Sequence, residues 1–266
     1  MSPIATISNI ADLGAKVRRQ SWTLHVDPVG DLYESALDCE RAVFLQAYGN
    51  TIEELEGEYG PYDESSFLIS VTDDTGYTVG VCRIITPGAR GTKTLNDINA
   101  SPWFADSARL ARACGIAEDR TWDIATLGVR AEYRTQAPMV TMALLHAMVA
   151  TTRANGIPSV TAMLDERARR FLSFMDVHFS TFPGVEAGEY LGSAATRPVY
   201  MDIVKMLTAN RQANPVTYRT LTLGEGLEGM ALPSRESLRL RTPEQRTAAR
   251  QLATQEVVRE LSLVAG

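Results

Sequence analysis

Arg130 and Arg134 bracket the point where a β-rich run gives way to an apolar helical one, in the stretch Val129-Arg130-Ala131-Glu132-Tyr133-Arg134-Thr135. A strand that feeds a helix N-terminus leaves backbone N–H groups unpaired and aims the positive end of the helix dipole at one point, which suits a diphosphate. Guanidinium groups at that point add bidentate donors. On residue types alone, the same arginines fit an ordinary solvated strand-to-helix turn at least as well. Upstream on the same predicted strand, Asp123 sits beside Trp122. A buried acid of this kind can take the proton of an ammonium when burial raises its pKa. A structural salt bridge, for instance to Arg83, fits the position equally well. Asp63 and Glu58 are loop acids that could hold a substrate ammonium, and Glu58 reads better as simply solvated.

Other reactive side chains carry less. Cys82 and Cys114 have no Cys/His/Asp context and read as buried or inert thiols. His146 falls within an apolar helical run and reads as a packed core histidine, while His178 lies at a turn where it could line an apolar pocket. Three histidines and three scattered cysteines, without CxxC or HxxxH spacing, predict no metal site.

The elements that must position these residues follow from periodicity. Residues 24–29 read as an edge strand and residues 31–47 as a helix. Thr51-Ile52-Glu53-Glu54 reads as a capping box opening a short helix that Gly57, Gly60 and Pro61 stop. The β-rich runs 67–71 and 79–85, separated by Asp73-Asp74-Thr75-Gly76, predict an antiparallel hairpin. Residues 92–120 read as a loop with one short helix near 105–114, and residues 121–129 as a central strand. An apolar helix over 135–155 takes Pro138 in its first turn and stops at Gly156. A strand at 160–164, an arginine-rich helix at 165–175 and a closing strand at 199–204 complete the body. The order predicts an α/β (α+β) fold, a mixed sheet with helices packed on it.

Residues 206–240 read as polar and broken by prolines and glycines. Thr242-Pro243-Glu244-Gln245 then caps a helix whose stripe of Ala248, Leu252, Val257, Val258 and Leu261 would dock on the body or, alternatively, on a partner. The expected division is therefore a body over residues 1–205 and a C-terminal extension over 206–266 ending in an amphipathic helix.

Composition sets limits on function. The formal charge of −6, with 32 acids against 26 bases, disfavours nucleic acid, whose binders carry basic surfaces. No run reaches the roughly 18 consecutive apolar residues of a membrane span, residues 1–13 lack a signal-like pattern, and the odd cysteine count argues against a disulfide framework. A cytoplasmic setting fits best, and a homodimer stays open.

Val-x-x-x-Tyr-Arg after a strand and before an apolar helix resembles the cofactor-binding motif of the GNAT superfamily of acyl-CoA N-acyltransferases. The family's following glycines fall on Ala137 and Met139 here, and Pro138 removes a donor. A second resemblance is to the acyl-homoserine-lactone (autoinducer) synthases. It rests on Phe44, Glu58-Tyr59-Gly60-Pro61-Tyr62-Asp63, Cys82-Arg83-Ile84-Ile85-Thr86-Pro87 and Trp122-Asp123-Ile124-Ala125-Thr126-Leu127, across residues 30–205. These resemblances imply a GNAT-like, mostly antiparallel twisted sheet flanked by helices, with a C-terminal helical extension. They also imply acyl transfer from an acyl-CoA or acyl carrier protein thioester to the amine of a small metabolite or amino acid. Asp123, Asp63 and Arg83 carry over as catalytic candidates. Leu127, Val129, Arg130, Arg134 and Thr135 carry over as cofactor-binding candidates, with oxyanion donors among the main-chain N–H groups of residues 127–129 where strands of this fold splay.

Departures matter as well. Family arginine positions fall on Glu40 and Thr126, and an acid position on Gly60, which implies a different amine from that of the autoinducer synthases; Arg41 could restore one charge if the helix register differs by one residue. The helix at 165–175 lacks the tyrosine that protonates the leaving thiolate in many GNAT enzymes, leaving Tyr190 and Tyr200 as distant substitutes. The missing glycines tilt the donor toward a carrier protein. Together with the missing tyrosine, they also motivate an alternative: a non-catalytic binding or regulatory protein on a degenerate scaffold of this kind. Autoinducer synthesis itself is a weaker alternative.

Overall fold

The computed structural model describes residues 21–264, so the expectation about residues 1–13 lies outside them. The chain begins with β1 (Trp22–Val26), α1 (Asp31–Tyr48) and α2 (Ile52–Tyr59), which a 3-10 turn (Gly60–Ser65) extends. The hairpin β2 (Ser66–Thr72) and β3 (Thr78–Ile85) follows. Next come α3 (Lys93–Ile98), α4 (Ser107–Ala113), β4 (Thr121–Val129), α5 (Ala137–Ala154), β5 (Ser159–Asp165) and α6 (Glu166–Phe174). Short β6 (Ser180–Thr181) and β7 (Gly188–Tyr190) lead into β8 (Ser193–Asp202). The chain ends with α7 (Ile203–Ala213), α8 (Pro215–Leu223), β9 (Met230–Ala231) and α9 (Pro243–Val264).

The described strands form one nine-stranded sheet ordered β6-β8-β5-β4-β3-β2-β1-β9, with β7 paired on β8. Only β4–β5 and β1–β9 run parallel. This is the mixed, mostly antiparallel sheet with flanking helices that the sequence predicts. Strand alternation sorts its two faces. Ile69, Cys82, Ile84, Trp122, Ile124 and Val160 share a core with Val140, Leu144 and Met148 of α5, and Leu172 of α6 joins it. Each such buried large side chain contributes about 1.5–3 kcal/mol. Leu68 and Val81 point the other way, onto Ala36 and Cys39 of α1. Thus α5 and α6 cover one face, and α1 to α3 the other.

Local chemistry explains the boundaries. The Thr51 capping box forms as its spacing predicts: Glu54 N–H donates to Thr51 Oγ1 at 3.2 Å, and Thr51 N–H donates to Glu54 Oε2 at 2.8 Å. Gly57 does not stop α2, which runs to Tyr59. No described helix is long and apolar enough to cross a membrane.

Several segments depart from the expectation. Strand β1 ends at Val26 because Asp27 turns the chain with φ 52°. The stretch 92–120 holds two helices, and α3 escapes periodicity because it is one turn and a half long. The broken-looking stretch 206–240 holds most of α7 and all of α8, whose Met206, Leu207 and Leu221 enter the main core. Their apolar positions are too sparse to show as a stripe. In α9 the docked face is not the apolar one. Arg246 is 2% exposed while Leu252 is 62% exposed. Arg250 donates to the carbonyls of Asp63 (3.3 Å) and Ser66 (3.0 Å) and stacks 4.2 Å over the Tyr33 ring. The side chains of Val257, Val258 and Leu261 lie outside the described residues.

Candidate active site

The central feature is where two parallel strands part. β4 and β5 pair only from Thr121↔Ser159 to Ile124↔Ala162. On its other side β4 bulges: Arg83 faces Thr126 and Ile84 faces Ile124, leaving Ala125 without a partner. Past that point the edge of β4 facing β5 has no strand partner, and a cavity of about 530 Å³ opens between the strands. Leu127, Gly128 and Val129 line one wall, and Met163, Leu164 and Asp165 another. Gly128 is required here, since a Cβ would lie 2.4 Å from Val43 Cγ1 of α1.

One mouth opens on the α5/α6 face. Arg134 and Arg167 line it, both exposed and without ion pairs among the described residues. Arg130 turns away from it: its Nε donates to the Thr78 carbonyl at 2.9 Å and its guanidinium lies 4.6 Å over the Tyr77 ring. Thr135 is also outside the lining and bonds Gln136 at 2.6 Å. Much of the turn's backbone is internally engaged, with the N–H groups of Tyr133, Arg134, Gln136 and Ala137 donating to carbonyls three residues back.

The other mouth opens on the α1/α2/α3 face, where three polar groups converge. Tyr48 at the end of α1 donates to Asp165 Oδ2 at 2.5 Å, and Asp165 Oδ1 accepts the Ala168 N–H at 2.5 Å as the N-cap of α6. Burial first, then the Asp165 carboxylate, raises the Tyr48 hydroxyl's pKa. In the second group Arg83 and Glu40 are buried beneath Thr126 and Tyr59, and Asp63 joins them from the exposed side. Arg83 grips Glu40 through Nε (3.0 Å) and Nη2 (2.6 Å), and Asp63 through Nη1 (2.9 Å), while Thr126 donates to Glu40 at 2.6 Å. Burial pulls Arg83 down, but Glu40 and Asp63 together outweigh it and hold the guanidinium above its ordinary value. In the third group, Lys93 Nζ meets Glu58 and Asp97 at 2.6 Å each and Tyr190 Oη at 2.6 Å. Burial again opposes the charge, and the two carboxylates raise the lysine despite it.

The structure therefore brings Arg83 and Asp63 together and sets Asp123 apart from them. Asp123 is fully buried and outside the cavity lining; it accepts from the Thr94 backbone N–H and, at 2.8 Å, from Thr94 Oγ1. Burial pushes its pKa up to about 7, against the pull of the two Thr94 bonds. The salt bridge to Arg83 does not form, because Arg83 is taken by Glu40 and Asp63. Nor does Arg41 replace the charge at Glu40: it faces outward to Asp38 and Glu56. Cys82 is buried, and burial raises its thiol pKa. His146 packs in the core against the Leu221 carbonyl, and His178 is exposed and outside the lining.

Sequence reasoning missed Tyr48, Lys93 and Arg167 and did not single out Asp165 as a site residue. Asp165 had a legible signal, as the N-cap of an arginine-rich helix leaving a strand. Tyr48 had none, since its partner lies 117 residues away.

Neither known family models nor curated proteins match this sequence. Solved structures do match in shape. The N-acyl amino acid synthase FeeM from uncultured soil microbes superposes with a TM-score of 0.54 at 14% identity, over 71% of this chain and 94% of that one. The CoA-dependent acyl-homoserine lactone synthase BjaI, solved with SAM and isopentyl-CoA, gives 0.53 at 16% identity, over 86% of this chain and 99% of that one. A BjaI structure with MTA gives 0.52 at 15% identity, with the same coverage. With its parted parallel strands and mostly antiparallel sheet, this chain has the fold of the GNAT-type N-acyltransferases.

Proposed function

We propose that the protein is an acyltransferase that moves an acyl group from a thioester to the amine of a small metabolite. The observation that carries this reading is the cavity between β4 and β5. It runs from an arginine-flanked mouth on the α5/α6 face to a mouth on the α1/α2/α3 face lined by tyrosines and the Asp165 carboxylate. Two substrates of opposite charge can then meet at the unpaired edge of β4.

The donor is an acyl thioester of coenzyme A or of an acyl carrier protein. CoA dependence in BjaI supports the former, and the engaged turn amides with Pro138 leave room for the latter. Arg134 and Arg167 would hold its phosphates by charge-assisted hydrogen bonds. Backbone N–H groups of residues 125–129 facing β5 would stabilise the oxyanion as the amine attacks the thioester carbonyl. The new C–N bond forms, the C–S bond breaks, and the thiolate takes up a proton. Asp165 is the carboxylate on the cavity wall and would accept the ammonium proton, directly or through water, while Tyr48 orients it. Asp63 and Arg83 would act from behind the wall by fixing Glu40 and Thr126, and Asp123 by fixing α3.

The test is release of free thiol from a set of acyl-CoA and acyl-carrier-protein donors in the presence of mixed amines. Amine-dependent release that falls in Asp165→Asn supports the reading. No release with any donor, while the protein is folded, removes it in favour of a non-catalytic role.

A further inference from the structure

The geometry points to an acceptor that is a cationic amine with no carboxylate beside it. This rests on the acyl-transfer reading and narrows it, since the acceptor of an N-acyl amino acid synthase carries a carboxylate. On the α1/α2/α3 face, four hydroxyls line the cavity wall, and each spends its proton inside the protein. Tyr48 donates to Asp165 at 2.5 Å, Tyr190 to Asp97 at 2.5 Å, Thr126 to Glu40 at 2.6 Å, and Tyr59 to the Ala125 carbonyl at 3.5 Å. What they offer a ligand is oxygen lone pairs. An ammonium brings three donors and no acceptor, and a carboxylate the reverse.

The charges behind this wall agree. Arg83 and Lys93, each 4% exposed, stand outside the lining and are held by Glu40 and Asp63, and by Glu58 and Asp97. Four carboxylates thus surround two cations, and Asp165 adds a fifth that makes no ion pair with a described residue. Neither buried cation is free to receive an acceptor carboxylate. Of the cations without an ion pair among the described residues, Arg134 stands at the opposite mouth, and Arg167, exposed at the start of α6, is close enough to Tyr48 for its charge to act there. Gln46, at the exposed rim, and Ser193 are neutral. Phe44 and Tyr48 add aromatic surface that favours a cation, while the Tyr59 ring is already engaged by Arg83 and Lys93. A carboxylate in this end would be desolvated among four inward-donating hydroxyls and beside the Asp165 carboxylate, with the neutral Gln46 and Ser193 as its side-chain donors at the rim, which is costly.

Calorimetry on the full chain with two matched pairs tests this: phenethylamine against phenylalanine, and cadaverine against lysine. The amine of each pair is expected to bind at least tenfold more tightly than its amino acid, and Asp165→Asn is expected to erase that preference. Equal binding, tighter binding of the amino acids, or no binding of either amine overturns the inference. Acylation of the same compounds is read separately. Amine-selective binding without acyl transfer would sink the acyltransferase reading and leave the binding preference standing.

Discussion

Thr126 gives its hydroxyl proton to Glu40 at 2.6 Å, although 86 residues separate them, and Glu40 in turn clasps Arg83 on two sides. The pair is buried, at 3% and 5% side-chain exposure. Removing one partner of such a pair strands the other, at a cost of about 3–5 kcal/mol. Glu40→Ala should therefore destabilise the protein strongly. The double variant Glu40→Met/Arg83→Met should lose less than the single one, because neither charge is left alone. Urea denaturation of the three proteins checks this, and additive losses would contradict it.

The same cluster shows what a sequence can and cannot disclose. Arg83 and Asp63 were visible as motif positions, and so were the strands that carry the cavity, because each is written in a few consecutive residues. Glu40 and Thr126 were visible only as departures, with no hint that they bond each other. Tyr48–Asp165 and Lys93–Tyr190 join residues 117 and 97 positions apart, and no local period encodes such meetings. Helix α3 was missed for its shortness, and the buried face of α9 because arginine stems, rather than its leucine, make the contact.

Asp123 makes stability depend on pH. Its folded-state pKa, about 7, lies above the ordinary carboxylate value of 3.8, so the folded chain holds this proton more tightly than the unfolded one. The contribution is fully present below about pH 4 and is lost as pH rises toward 7, at a slope of up to about 1.4 kcal/mol per unit. Asp123→Asn should flatten the stability profile in that window. Chemical denaturation from pH 4 to 8 in both proteins is the measurement, and parallel profiles would refute the assignment.

Tyr48 and Asp165 separate chemistry from stability. Asp165→Asn should lower kcat about 100-fold, the scale of a general base, with the donor KM little changed. Tyr48→Phe keeps the carboxylate but frees its orientation, so its kcat should fall between wild type and the Asn variant. Loss of a hydrogen bond to a charged group should also cost it about 1.5–3 kcal/mol of stability. Steady-state kinetics with thermal unfolding distinguish the two effects. A Tyr48→Phe enzyme slower than Asp165→Asn would reverse the roles.

Helix α9 is held through arginines. Arg246 is buried near Asp27, and Arg241 donates to the Asp27 carbonyl at 3.0 Å and its carboxylate at 3.3 Å. Arg246→Ala removes both a packed stem and a charge that offsets the buried Asp27. Amides of residues 247–253 should then exchange faster with deuterium, while Arg246→Met, which keeps the stem, should show a smaller increase. Equal protection in wild type and Arg246→Ala would mean that Arg246 is not what holds the helix.

Arg130 and Arg134 look equivalent in the sequence, but the structure gives them different surroundings. Arg134 lines the cavity mouth and makes no ion pair among the described residues, whereas Arg130 is held by the Thr78 carbonyl and the Tyr77 ring. A charge-assisted bond to phosphate is worth about 1.5–3 kcal/mol, so Arg134→Ala should weaken coenzyme A binding by roughly 10- to 100-fold. The loss should shrink at high salt, since exposed charges are screened. Arg130→Ala gives up contacts within the protein instead, so it should lower the melting temperature more than it lowers coenzyme A affinity. Calorimetric titration of both variants at low and high salt measures the contrast. If Arg130→Ala weakens binding as much as Arg134→Ala does, the diphosphate lies deeper in the β4–α5 turn than the cavity mouth indicates, and Arg130 must leave Tyr77 to reach it.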